Sequence, residues 1–209
     1  MFDTNTIVMF LTASVLLALA PGPDNLYVMS QSMVKGKTAG FLITLGLGTG
    51  LIGHTMAVAF GVAVLFQTSI IAFTILKFAG AAYLLYLAWK AFTAEDGGAV
   101  NLQKGGSASY GYLYRRGIIM NITNPKVSIF FLAFLPQFAD PLRGHITVQL
   151  MLLGGMFMVS ALVVFSSIAY LASMIGKWFL KSKRAEKILN RSAGTVFAAL
   201  AIRLALTRQ

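Results

Sequence analysis

Two short segments of this chain set a proline beside a charge inside long uncharged stretches: Pro21-Gly22-Pro23-Asp24-Asn25 and Asn124-Pro125-Lys126. The first closes an uncharged run over residues 4–23, and the second separates the uncharged stretches 117–125 and 127–139. Proline removes a backbone donor and crowds the turn before it. In hydrocarbon the carbonyls it frees must find other partners. Asp24 and Lys126 each add about 2.5–3.5 kcal/mol to the cost of insertion at the centre of a membrane helix. A break and a charge placed together twice point to a built site, because unwound backbone offers helix-terminal N–H and C=O groups to the charged groups of a small substrate. The alternative for each is a kink serving helix packing only. A lone proline reads that way; Pro-Gly-Pro-Asp-Asn reads as a site.

Neutral polar residues surround the breaks. Asn121 and Asn124 stand three apart and share a helix face, where they either satisfy carbonyls freed by Pro125 or contact a substrate. His54, deep in the second apolar stretch, is a proton carrier or an interhelical hydrogen-bonding group. The candidate substrate- or proton-binding set is Pro21, Gly22, Pro23, Asp24, Asn25, His54, Asn121, Asn124, Pro125 and Lys126. Opposite charges at matching places suggest that Asp24 and Lys126 meet. They would form either a pair that opens when a zwitterion or proton arrives or a static lock between two halves. On the pairing reading, exchanging the two residues harms function less than neutralising either one.

The elements that must carry these residues are membrane helices. The chain is 57% hydrophobic and 11% charged, with a mean hydropathy of +0.77; soluble domains run about 45–50% apolar and about 25% charged. This predicts an all-α integral membrane protein. With no cysteine there are no disulfides and no thiolate chemistry. The net charge of +11 reads as lysine and arginine loaded into cytoplasmic loops rather than as a nucleic-acid surface. No phosphate-binding loop, metal-ligand cluster or catalytic constellation stands out. The expectation is therefore no enzyme, no catalytic residues, no metal and no cofactor. Ala18-Leu19-Ala20 resembles a signal-cleavage site, but Met1-Phe2-Asp3 lacks a basic region, so an uncleaved first span is expected.

A span needs about 20 mostly apolar residues. Six are predicted, near residues 7–33, 40–66, 70–92, 117–138, 147–175 and 189–206, with Gln67-Thr68-Ser69 turning between the second and third. The polar stretch 93–116, rich in glycine and serine, predicts a flexible loop between halves 1–92 and 117–209. Lys35, Lys37, Lys104, Arg115, Arg116, Lys177, Lys181, Lys183, Arg184 and Lys187 all fall in loops on one side, against Arg143 and Arg208 on the other. That asymmetry makes the basic loops cytoplasmic and puts both termini outside. Three spans per half invert the second half relative to the first, so the prediction is a 3+3 inverted repeat with broken first and fourth helices, as in many secondary transporters. The small residues of the second and fifth spans pack within the monomer or across a homodimer.

Several segments resemble the LysE/RhtB family of amino-acid exporters. They are Ala20-Pro21-Gly22-Pro23-Asp24-Asn25, the glycine-rich second span, Lys77-Phe78-Ala79-Gly80-Ala81-Ala82-Tyr83-Leu84, Gly117-Ile118-Ile119-Met120-Asn121-Ile122-Thr123-Asn124-Pro125-Lys126 and Phe134-Leu135-Pro136-Gln137-Phe138. The likeness covers nearly the whole chain in order and is nearest to the homoserine, homoserine-lactone and threonine efflux branch. It implies export of amino acids or their derivatives across a bacterial inner membrane, driven by the proton gradient. The alternatives are a passive channel and an exporter of another small solute or ion. The resemblance also implies that the Pro-Gly-Pro and Asn-Pro-Lys segments are the functional elements.

Overall fold

The computed structural model describes residues 2–62, 70–93, 109–179 and 183–206, and among them every regular element is helical. Helix α1 (Thr4–Leu19) starts where Asp3 accepts a hydrogen bond from the Thr6 N–H at 2.6 Å, and α2 (Pro23–Lys35) starts with Pro23 in its first turn. There the missing N–H would have had no helical partner anyway. Gly36, at φ +83°, ends α2 and leads into α3 (Lys37–Ala57), which runs on through a π-helical turn, Val58–Val62. Helix α4 (Ile70–Phe92) follows. Helix α5 (Tyr110–Thr123) is capped by Ser109, and α6 (Pro125–Ile129) continues through a π-helical turn, Phe130–Phe134, and a 3-10 turn, Leu135–Phe138. A second 3-10 turn, Pro141–Arg143, precedes α7 (Ile146–Phe179), and α8 (Lys183–Leu206) closes the chain.

The first and fourth predicted spans are indeed broken. Helices α1 and α2 meet at 58°, and α5 meets the α6 segment at 50°. Among the described residues two helices are long and apolar enough to cross a membrane, Lys37–Gly61 and Ile146–Met174, or four spans if each bent pair counts as one. At 34 residues α7 is about 51 Å long, well beyond an apolar core of about 30 Å. One boundary is corrected: the stretch expected to be loop over 93–116 is helical from Tyr110. Ser109 accepts the Tyr112 N–H, and the turn carrying Arg115 and Arg116 extends the apolar helix beyond its uncharged part. The rest of that loop, at 94–108, and the turn at Gln67-Thr68-Ser69 lie outside the described residues.

Helix α7 packs along α1, α2 and α3; α3 lies along α5, and α4 along α8. Glycine sets these spacings. A methyl on Gly46 would stand 2.1 Å from the Tyr114 carbonyl oxygen, and one on Gly117 2.5 Å from that of Ile43. Gly50 lies against Asn121, and Gly154 against Thr55. These contacts pair 46 with 117 and 50 with 121, so α3 and α5 run parallel at close approach. Gly53 and Gly155 face open space.

Candidate functional site

A chain that breaks a helix must account for each freed carbonyl. Pro21 cannot donate to the Leu17 oxygen, and the extended Gly22 leaves that of Ala18 free. The Ala20 oxygen lies at the end of α1 with no helical donor. The structure supplies each with a side chain. Lys126 Nζ donates to the Leu17 oxygen at 3.2 Å and to the Ala20 oxygen at 2.9 Å, and Asn25 Nδ2 donates to the Ala18 oxygen at 2.7 Å. The fourth-span break is handled similarly. Pro125 frees the Asn121 oxygen, which accepts from the Asn124 N–H at 3.1 Å and from His54 Nε2 at 3.2 Å. A carbonyl can only accept, so Nε2 of His54 carries the proton in this bond.

Asn124 joins the two breaks. Its Oδ1 accepts from the Lys126 N–H at 3.0 Å, capping α6, and its Nδ2 donates to Asp24 Oδ2 at 2.8 Å. Both amide atoms are thus fixed by their partners. Asp24, Asn124 and Lys126 are all buried, with Asp24 at 1% exposure.

Asp24 and Lys126 do not form an ion pair; neither carboxylate oxygen lies within 4.0 Å of the ammonium. Each instead sits at a helix end of complementary partial charge. Asp24 lies in the first turn of α2, and the Lys126 ammonium lies on the last carbonyls of α1. Room for the ammonium comes from Gly22, where a Cβ would approach Nζ to 3.2 Å. The expected meeting of the two breaks is observed, but the expected contact of the two charges is replaced by Asn124 and by backbone carbonyls.

Three buried side-chain oxygens among the described residues accept no hydrogen bond: Asp24 Oδ1, Asn25 Oδ1 and Asn121 Oδ1. Asp24, Asn121 and Lys126 line one small cavity together with Phe157 and Phe165. Its volume is about 10 Å³, enough for about one water, so the site is closed around its polar groups. Of the sequence-predicted residues, the structure therefore gathers Asp24, Asn121 and Lys126 at the cavity. It uses Asn25, Asn124 and His54 to tie the breaks, and Pro21, Gly22, Pro23 and Pro125 to create them.

Sequence reasoning missed the aromatic wall beside the site. Phe157 contacts Phe130 at 4.9 Å between ring centroids, Phe130 contacts Phe134 at 5.0 Å, and Phe134 contacts Phe138 at 5.1 Å. The signal was present as phenylalanines four apart at 130, 134 and 138, a spacing that shares one helix face. Phe138 borders a second, polar cavity of about 270 Å³ that also touches Asp3, Thr6, Asp140, Arg143 and Arg203. From Thr6 to Ala18 of the inner cavity is about 18 Å along α1.

At the rim of this second cavity Arg143 reaches Asp3 at 3.1 Å and Asp140 at 3.1 Å, all three half-exposed. The Thr6 N–H, and then Arg143, hold the Asp3 carboxyl below the usual carboxylate range. A lowered folded-state value means that the stabilisation is present above the ordinary carboxylate value and disappears as pH falls through the lowered one. Asp3→Asn keeps the cap and drops the ion pair; Asp3→Ala drops both. Thermal melts at neutral pH should rank wild type first, Asn next and Ala last; in acid the lead of wild type over Asn should close, while the Asn variant stays ahead of Ala because its cap does not titrate.

The family described as LysE type translocator matches residues 15–208. Homoserine/homoserine lactone efflux proteins of Salmonella typhi and Salmonella typhimurium are each 36% identical over 200 residues, covering 95% of both chains. An uncharacterized membrane protein of Bacillus subtilis, YrhP, is 28% identical over 211 residues, covering 97% of this chain and all of its own. No solved structure matches the chain.

Proposed function

Because the chain belongs to the LysE type translocator family, and is thus a multi-pass membrane transporter rather than an enzyme, we propose that it exports amino acids or small amino-acid derivatives from the bacterial cytoplasm by proton antiport. The Salmonella relatives, named for efflux of homoserine and its lactone, support the substrate class. The observation that carries the coupling is Asp24: a buried carboxylate with one free oxygen, at the meeting point of two broken helices. It can hold a proton or a substrate ammonium in turn, and such exclusive occupancy is what antiport requires.

Six spans in a 3+3 inverted arrangement, with halves 1–92 and 117–209 and both termini outside the inner membrane, fit this reading. Parallel α3 and α5 are what two crossings between their starts, by α3 itself and by α4, would give. Asp3, Arg143 and Arg203, from the beginning of α1, the turn before α7 and the end of α8, gather at one cavity, as they would on a shared outer side. The aromatic wall then closes the inner cavity from the outer one. Opening it, by rocking one half against the other about the two breaks, delivers substrate outward.

Purified protein in vesicles, supplied with labelled homoserine, threonine, leucine or lysine, tests the proposal. A pH gradient should drive uphill movement of at least one of them with counterflow of protons. Flux that follows the substrate gradient alone, indifferent to pH, makes the protein a passive pore instead.

A further inference from the structure

The outer cavity differs from the inner one in size and in the arrangement of its charges. It measures about 270 Å³ against about 10 Å³. At about 30 Å³ of liquid per water that is room for at least about nine waters, the bulk of one small amino acid. Its charged lining is Asp3, Asp140, Arg143 and Arg203. Arg143 bridges the two carboxylates at 3.1 Å from each, so these three groups together carry one net negative charge. Arg203, from a different element, brings the positive charge, its guanidinium 4.6 Å from the centre of the Phe138 ring. The turn that carries Asp140 and Arg143 is firmly held. Gln149 of α7, fully buried, donates through Nε2 to the Asp140 oxygen at 2.8 Å and the Gly144 oxygen at 3.2 Å, and its Oε1 accepts the Asp140 N–H at 3.0 Å. Asp140 Oδ1 accepts the Leu142 N–H at 2.9 Å. Exposed ion pairs alone would fix little; a buried amide bonded at three points fixes the turn and the charges on it.

We propose that the outer cavity is a second solute site, on the exit side of the aromatic wall, and that it binds free amino acids as zwitterions. Phe138 ends that wall, so solute that passes it arrives beside Arg203. The solute carboxylate takes the Arg203 guanidinium, whose planar fork matches two carboxylate oxygens. The ammonium takes the surplus negative charge of Asp3 and Asp140. A form that lacks one of the two charges loses one of the two anchors: an ester or lactone has no carboxylate, and an N-acetyl amino acid has no ammonium. The outer site therefore separates homoserine from its lactone, whatever the inner site admits. Its place on the exit side rests on the exporter reading above, but binding there is measurable without transport.

The chain has no cysteine, so one introduced thiol reports on the cavity. Thr6→Cys and Met9→Cys place it in the lining, whereas Leu142→Cys places it at a 96% exposed position on the neighbouring turn, outside the lining. Each variant is first checked for folding by size exclusion, and the two lining positions substitute for one another. In right-side-out membrane vesicles a membrane-impermeant maleimide should label all three. Homoserine, threonine and leucine are then added, and the strongest protector is taken as parent. It should slow labelling at 6 and 9 and leave 142 unchanged. Its methyl ester and its N-acetyl form should each need at least about tenfold higher concentration, having lost one charge-assisted contact. No labelling at 6 and 9 from this side, no protection by any of the three, or protection by the ester or N-acetyl form equal to the parent's overturns the site and leaves the exporter reading to its flux assay. Protection without flux in that assay removes the exporter reading and keeps the zwitterion site. Arg203→Gln should abolish the preference for the parent over its ester, and Arg203→Lys, which keeps the charge without the fork, should retain part of it. A folded Arg203→Gln protein with that preference intact contradicts the assignment of Arg203.

Discussion

Exchanging the two buried charges, Asp24→Lys together with Lys126→Asp, should abolish export and lower the folded yield below that of either single neutralisation. If the two charges held each other, the exchange would be the gentler change. The geometry argues the reverse, because each charge serves partners that the other cannot. An aspartate at 126 would present oxygens towards the carbonyls of Leu17 and Ala20, which need donors. A lysine at 24 would present N–H groups to Asn124 Nδ2, itself a donor. A buried hydrogen bond to a charged group contributes about 1.5–3 kcal/mol, and each unsatisfied backbone group in hydrocarbon costs several more. The exchange loses three such bonds and puts like groups face to face. Size exclusion of tagged protein from membranes gives the folded fraction, and export from loaded cells gives activity. An exchanged protein that transports while both single neutralisations fail would restore the ion-pair model.

Gly46→Ala should be nearly as damaging although it adds a single methyl. The new carbon would fall 2.1 Å from the Tyr114 carbonyl oxygen and 3.1 Å from Gly117 Cα. Both are backbone and cannot turn aside, so α3 and α5 must separate. Overpacking of this kind costs about 1–3 kcal/mol, occasionally more. Separation also stretches the bond from His54 to the Asn121 oxygen and shifts Asn121 at the cavity, so export should fall by more than the folded yield. Gly53→Ala, seven residues on in the same helix, meets nothing within 4 Å. It should be neutral or slightly stabilising, since alanine favours a helix over glycine by about 0.5–1 kcal/mol. Thermal stability in detergent separates the two variants. Equal melting points for them would refute the close-packing account.

Much of the site was legible locally. Pro21 implies an orphan carbonyl at Leu17, and Pro125 one at Asn121, by counting back four residues. The placement of both breaks in apolar stretches, and of a charge beside each, follows from the order of residues. Which side chain answers which carbonyl did not follow. Lys126 is more than a hundred residues from Leu17, and nothing in its neighbours distinguishes a partner of Asp24 from a cap for α1. His54 was open between proton carrier and interhelical donor; its bond to the Asn121 oxygen supplies the second role. The start of α5 at Tyr110 was hidden for a different reason. Polar and basic residues at a membrane surface read as loop by composition, yet a helix continues there once Ser109 caps it.

The sequence by itself determined that this is a helical membrane protein of a transporter family, broken at Pro21–Pro23 and at Pro125, because hydropathy, charge and proline act through local chemistry. Only the tertiary structure decided what Asp24 and Lys126 do. Burial makes every polar group answer to the nearest complementary group, and helix packing brought Asn124 and the end of α1 nearer than the opposite charge. The two residues that looked like a pair are therefore two separate devices: a lysine that holds a helix end together, and a carboxylate left with one oxygen free.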